Sequence, residues 1–181
     1  MAQSGVLCFV TIMCLTIRRS ESHDDYNNVY DGILDFKCAS KKQAISSIYS
    51  VHHDGFEDRR FRIHCGDVPG VRGRRKCEDS TNWENDLDGL LAFQCRSNMY
   101  IVGMQSEHRN GREDRRWKFH CCGFNDFHLY DCEFTELTNN YDGVQDFTVP
   151  EGKVIKGVIS IHHDGREDRI YMYNVCNIKR W

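Results

Sequence analysis

The chain has 181 residues, with 24 Lys and Arg against 27 Asp and Glu and a formal net charge of −3. That length allows one domain with a real core. The near balance of mixed signs excludes a general nucleic-acid binder.

In chain order, the first feature is MAQSGVLCFVTIMCLTIRRSES, where Val6 to Ile17 form an apolar run ended at once by charge. The run is too short to span a bilayer and suits the apolar region of a signal peptide, although no Lys or Arg precedes it. Ser20 and Ser22 provide the small residues for a cut after Ser22. A signal peptide over 1–22 and a secreted mature domain over 23–181 are therefore expected.

Beyond it, one pattern occurs three times. YDGILDFKC, LDGLLAFQC and YDGVQDFTV each precede a second phrase: HHDGFEDRR, HRNGREDRR and HHDGREDRI. Aligned on Gly55, Gly111 and Gly165, the phrases superpose His52, His108 and His162, then Asp58, Asp114 and Asp168. A repeat of this length means supersecondary units packed together, here spanning about 30–77, 85–132 and 140–176. AISSIYSV and VIKGVISI are rich in β-branched residues and read as strands. RRFRIHC and RRWKFHC alternate, placing Phe61, Ile63, Trp117 and Phe119 on one face, and IYMYNVC adds Tyr171, Tyr173 and Val175. The D-G and N-G steps between them are turn signals. No helical periodicity stands out. The expected fold is all-β, three repeated units with pseudo-threefold symmetry, β-prism-like or alternatively a β-trefoil.

Ten cysteines include Cys8 and Cys14 in the leader; the other eight imply a disulfide framework in a secreted chain. Cys38 and Cys95 share one repeat position, and Cys65 and Cys121 another. The third unit has Val149 and Val175 there, so both cysteines vanish together, as bonded partners would. This assigns Cys38–Cys65 and Cys95–Cys121. Symmetry then joins each unit's tail to the next unit as Cys77–Cys122 and Cys132–Cys176, with an exchange between adjacent Cys121 and Cys122 left open.

EDRRW followed by KFHCC and preceded by IVGMQSEH resembles the dermatopontin family, and within it the arthropod haemagglutinins and cell-aggregation factors. The resemblance runs from Tyr30 to Cys176. It implies a secreted, disulfide-rich, non-enzymatic protein that binds cells, proteoglycans or other matrix components. Ile170-Tyr171 stand where the second copy has Arg116-Trp117, so whatever depends on that Arg and Trp does not carry over to the third unit.

The Glu-Asp-Arg triplets allow two readings. Arginine forks on carboxylates can pin one unit to the next. Alternatively, the polar loops form repeated pockets for saccharide hydroxyls, sulfates or phosphates. Candidate contacts are His52, Arg59, His108, Arg115, His162 and Arg169, together with the basic run Arg72, Arg74, Arg75 and Lys76. That run would attract glycosaminoglycan or an anionic membrane surface. Asp54 and Asp164 beside paired histidines invite a metal reading. Neighbouring strand residues point to opposite faces, however, so no metal and no cofactor is expected. Cysteine chemistry lacks a free thiol once the framework forms, and no G-x-S-x-G elbow occurs. The sequence thus points to a non-enzymatic adhesion or agglutination protein that binds cell-surface or matrix glycans and aggregates blood cells. The alternative is a matrix organiser that binds proteoglycan or collagen without agglutinating.

Overall fold

The computed structural model describes residues 25–181; the leader expected at 1–22 lies outside them. Among the described residues every regular element is a strand. Long hairpins form the frame: β2 (Gln43–His53) with β3 (Asp58–Asp67), β6 (Tyr100–Arg109) with β7 (Asp114–Phe124), and β10 (Lys153–His163) with β11 (Asp168–Arg180). Each hairpin folds where the sequence places its D-G or N-G turn. The turn closes through a backbone bond from Phe56 to His53 at 3.0 Å, Arg112 to Arg109 at 2.8 Å and Arg166 to His163 at 2.9 Å. Glu57, Glu113 and Glu167 then re-enter the strand with φ of 46°, 42° and 45°. A left-handed residue after such a turn restores the strand direction, at a cost for any residue with a Cβ.

The short strands do not stay with their own hairpins. β1 (Leu34–Lys37) pairs with β6, β5 (Leu91–Gln94) with β10, and β9 (Gln145–Thr148) with β2. Each unit thus lends a strand to the next, and the third lends to the first, so the pairing closes in a cycle. Every hairpin carries a bulge at the same place, between Ile45 and Ser47, Ile101 and Gly103, and Ile155 and Gly157. The freed carbonyls of Ser46, Val102 and Lys156 accept the N–H of Val149, Cys38 and Cys95, each at 2.9 Å. Glycine is required beside two of them. A Cβ on Gly103 or Gly157 would lie 2.7 Å or 2.6 Å from the carbonyl oxygen of Phe36 or Phe93.

Two tails extend the sheets: β4 (Arg75–Asp79) joins β7, and β8 (Phe127–Phe134) joins β11. The result is three antiparallel sheets, two of four strands and one of three. Disulfides Cys77–Cys122 and Cys132–Cys176 fasten the tails to their sheets, while Cys38–Cys65 and Cys95–Cys121 tie the first two units internally.

The alternating strands bury one face. Phe61, Trp117 and Tyr171, one from each hairpin, meet edge-to-face in the core with ring centroids 5.3, 6.0 and 6.4 Å apart. Ile48, Leu34, Leu91, Phe119, Tyr173 and Val175 pack around them. Burial drives the phenols of Tyr171 and Tyr173 far above their ordinary range, so both stay neutral. A second apolar cluster, including Tyr100, Val102, Phe124 and Phe127, lies under the tails.

Candidate functional site

The Glu-Asp-Arg triplets converge on one end of the core. Asp58, Asp114 and Asp168 open β3, β7 and β11, and each is followed by its arginine. All six side chains are buried, and each arginine binds the aspartate of a neighbouring unit rather than its own. Arg59 reaches Asp168 through Nε at 2.6 Å and Nη2 at 2.7 Å. Arg115 reaches Asp58 at 2.6 and 2.7 Å, and Arg169 reaches Asp114 at 2.6 and 2.8 Å. Three bidentate pairs therefore link the units head to tail in a closed ring.

The D-G turns complete the ring. Asp31, Asp88 and Asp142, in the left-handed region at φ of 59°, 61° and 60°, present their N–H groups to Oδ2 of Asp58, Asp114 and Asp168. The carbonyls of Gly143, Gly32 and Gly89 accept Nη2 of Arg59, Arg115 and Arg169. Buried Asn28, Asn85 and Asn139 donate to the carbonyls of the same arginines and accept from Phe61, Trp117 and Tyr171. Sequence reasoning missed these asparagines. The signal was present as Asn-x-x-Asp-Gly, which occurs at Asn28, Asn85 and Asn139.

Above the ring lies a small cavity of about 20 Å³, room for a water molecule or an ion, lined by Glu57, Glu113, Glu167 and His108. Desolvation, reinforced by the charge of Glu57, holds Glu113 and Glu167 above the usual carboxylate range, against the opposing pull of His108 and His162. His52, His108 and His162 have buried side chains whose ring nitrogens make no hydrogen bond.

The other sequence candidates lie elsewhere. Arg72 and Arg74 are exposed on the loop entering β4 and Lys76 is exposed on β4 itself, which pairs with the end of β7 far from Asp114. Arg75 turns inward, and burial lowers its pKa; it sits near Tyr100, whose phenol is pushed up to about 12. The structure therefore separates the basic loop from the arginine–histidine set.

The outer face of the hairpins carries a feature the sequence reading did not identify. Arg60 lies over Tyr26 at 3.9 Å and Tyr30 at 5.3 Å, and Arg62 lies over Tyr49 at 4.6 Å. Tyr30 in turn stacks on exposed Phe56 at 4.9 Å. The equivalent place in the second unit has Arg116 and Lys118 over Trp83, at 4.5 and 4.8 Å. In the third, Leu137, Ile170 and Met172 take the same positions.

Fold and site together define a disulfide-stapled β-protein with repeated polar surfaces and no free thiol among its described cysteines. The family model for dermatopontin matches residues 28–180, and the chain belongs to that family. It is 38% identical to the hemagglutinin/amebocyte aggregation factor of Limulus polyphemus, covering 94% of this chain and 95% of that protein. It is 33% identical to Millepora cytotoxin-1 of Millepora dichotoma, covering 82% and 65%. Identity to the dermatopontin of Biomphalaria glabrata is 31%, covering 83% and 99%. No solved structure matches the chain.

Proposed function

We propose that this protein is a secreted, non-enzymatic adhesion or agglutination factor that binds glycans on cell surfaces or matrix and bridges blood cells. The observation that carries the reading is the duplicated cation–aromatic patch, Arg60 and Arg62 with Tyr26, and Arg116 and Lys118 with Trp83. Cations stacked over aromatic rings make amphipathic surfaces, with Arg62 and Lys118 suited to the sulfate or carboxylate groups of a glycan, while Arg116 also pairs with Glu107. Two such patches on one molecule supply the bivalency that bridging needs.

The exposed cations Arg72, Arg74 and Lys76, on the loop before β4 and the start of that strand, add a second anion-attracting surface, suited to proteoglycan chains or an anionic membrane. Buried Arg59, Arg115 and Arg169, with His108, would contact a ligand only through the small cavity they line, and His52 and His162 lie outside that lining. The leader at 1–22 directs the domain over 23–181 to secretion in this reading, and four disulfides fit an oxidising compartment. Similarity to a protein named a hemagglutinin and aggregation factor supports the agglutinating activity.

The test mixes the purified mature protein with erythrocytes and blood cells, with and without heparin. Agglutination that heparin abolishes supports anionic-glycan bridging. Agglutination that only neutral sugars inhibit would move recognition from the cations to uncharged pockets. No agglutination at any concentration would overturn the bridging activity in favour of a matrix organiser that binds proteoglycan or collagen.

A further inference from the structure

The disulfides leave one stretch of the chain uncrossed. Cys38–Cys65 closes before it, while Cys77–Cys122, Cys95–Cys121 and Cys132–Cys176 lie wholly at or beyond Cys77. Among the described residues, only the backbone between Cys65 and Cys77 therefore joins the first unit covalently to the others. Within that stretch stands Arg72-Gly73-Arg74-Arg75-Lys76, and the pattern Arg-x-Arg-Arg occurs once in the chain.

Val68 and Val71 anchor the connection in the apolar cluster under the tails. Past Val71 little holds it. Arg72, Gly73 and Arg74 are exposed, and Gly73 takes the left-handed region at φ of 88°. Residues 69–74 make no backbone or side-chain hydrogen bond among the described residues. Exposed loops of small and polar residues are where proteases nick folded chains.

The Arg75–Lys76 peptide bond is the first of β4, an edge strand of its sheet. Two register pairs, Arg75 with Phe124 and Lys76 with Gly123, precede the Cys77–Cys122 staple. Exposing that bond means peeling two residues from a sheet edge, a local opening that leaves the core in place. Arg75 favours the opening. Its Nε and Nη2 are buried without a hydrogen bond, and release returns the guanidinium to water. The arginine pairs Arg59-Arg60 and Arg115-Arg116 are protected by comparison, because Arg59 and Arg115 are locked in the buried ring.

We propose that Arg72 to Arg75 form a processing site for a serine protease specific for paired basic residues, which hydrolyses the Arg75–Lys76 bond. One water is consumed and the C–N bond breaks, leaving a carboxylate on Arg75 and an amino group on Lys76. Arg72, Arg74 and Arg75 supply the cations that a carboxylate-lined substrate cleft selects. Because no disulfide crosses the cut, one chain becomes two. The pieces stay assembled through the pairing of β1 with β6 and β2 with β9, and through the Arg115–Asp58 and Arg59–Asp168 pairs. The cut also places Tyr26, Arg60 and Arg62 on one piece and Trp83, Arg116 and Lys118 on the other. Bridging by the two patches then depends on non-covalent assembly alone.

Incubating the mature, disulfide-intact protein with a subtilisin-like protease specific for Arg-x-Arg-Arg tests the proposal, independently of glycan binding. One cut is expected, with a new N-terminus reading Lys76-Cys77-Glu78. The product should elute as one particle under native conditions, yet run as two pieces in detergent without reductant. Its thermal midpoint should rise with protein concentration, whereas that of the intact chain should not. Arg72→Gln changes an exposed loop side chain, so the variant should fold normally and be cut about tenfold more slowly or less. A chain left whole under native conditions, or a cut at another site, overturns the proposal. So does equally fast cleavage of Arg72→Gln, or a pair of pieces that part only on reduction.

Discussion

Arg115 of the second unit holds Asp58 of the first by two parallel hydrogen bonds, Nε to Oδ1 at 2.6 Å and Nη2 to Oδ2 at 2.7 Å. Both groups are out of water, so neither can be removed alone without stranding a charge. Asp58→Ala should therefore destabilise the fold by about 3–5 kcal/mol. Replacing both partners by apolar residues of similar volume, as in Asp58→Leu/Arg115→Met, should recover most of that loss. Denaturant unfolding with the disulfides intact measures both. A double variant no better than the single would show that the remaining bonds, to the N–H of Asp31 and the carbonyl of Gly32, carry the site.

A pH dependence follows from the carboxylates above the ring. Glu167 is held above the usual carboxylate range by desolvation first, with His162 opposing the rise and Glu57, Asp164 and Asp88 adding to it. A carboxylate raised in the folded state is favoured when protonated. Its contribution is present below the unfolded value and lost as pH rises through the folded one. Glu167→Gln removes that penalty while leaving the backbone geometry unchanged. The variant should be more stable than the parent at pH 7, and the advantage should vanish on acidification below the ordinary carboxylate range. Unfolding curves at pH 7 and at about pH 3, below the ordinary carboxylate range, give the comparison; a pH-independent difference would assign the effect to packing.

The third unit lacks an internal disulfide yet keeps its geometry. Val149 donates to the bulge carbonyl of Ser46 at 2.9 Å, as Cys38 does to Val102 and Cys95 to Lys156. Val175 stands opposite Ile155, as Cys65 stands opposite Ile45 and Cys121 opposite Ile101. Val149→Cys/Val175→Cys should therefore form a fifth bond on oxidative refolding. The expected gain is about 2–4 kcal/mol by the chain-entropy account. Mass spectrometry reports the bond and thermal unfolding the gain. A free thiol pair after refolding would mean that the bulge positions differ more than their hydrogen bonds suggest.

Much of the fold was legible because alternation is a local signal. Phe61, Ile63, Trp117 and Phe119 were assigned to one face from RRFRIHC and RRWKFHC, and all are buried. The exchange of β1, β5 and β9 between units was not legible. A strand's alternation says which face is apolar but not whose hairpin it joins. The same limit hid the surface patches. Tyr26 and Trp83 lie in polar stretches far from Arg60 and Arg116 in sequence, and irregular segments held along β3 and β7 by the backbone of Asn27 and Glu84 bring each pair together. His162 and Asp88 illustrate it again, since they face each other at 3.8 Å from different units.

Bridging makes a stricter demand than binding, and the two patches allow the difference to be measured. Arg116→Ala/Lys118→Ala removes the cations over Trp83 and leaves Tyr26, Arg60 and Arg62 untouched. A molecule with one remaining patch still attaches to a glycan but no longer holds two cells, because avidity requires simultaneous engagement. The variant should retain heparin binding, weakened severalfold, while its agglutination titre falls by at least tenfold. The converse variant, Arg60→Ala/Arg62→Ala, removes the cations over Tyr26 and tests the first patch. If agglutination persists while both patches are disabled, the cations of Arg72, Arg74 and Lys76 carry the bridging. Raising the salt concentration should then abolish it steeply, as screening does for exposed charges.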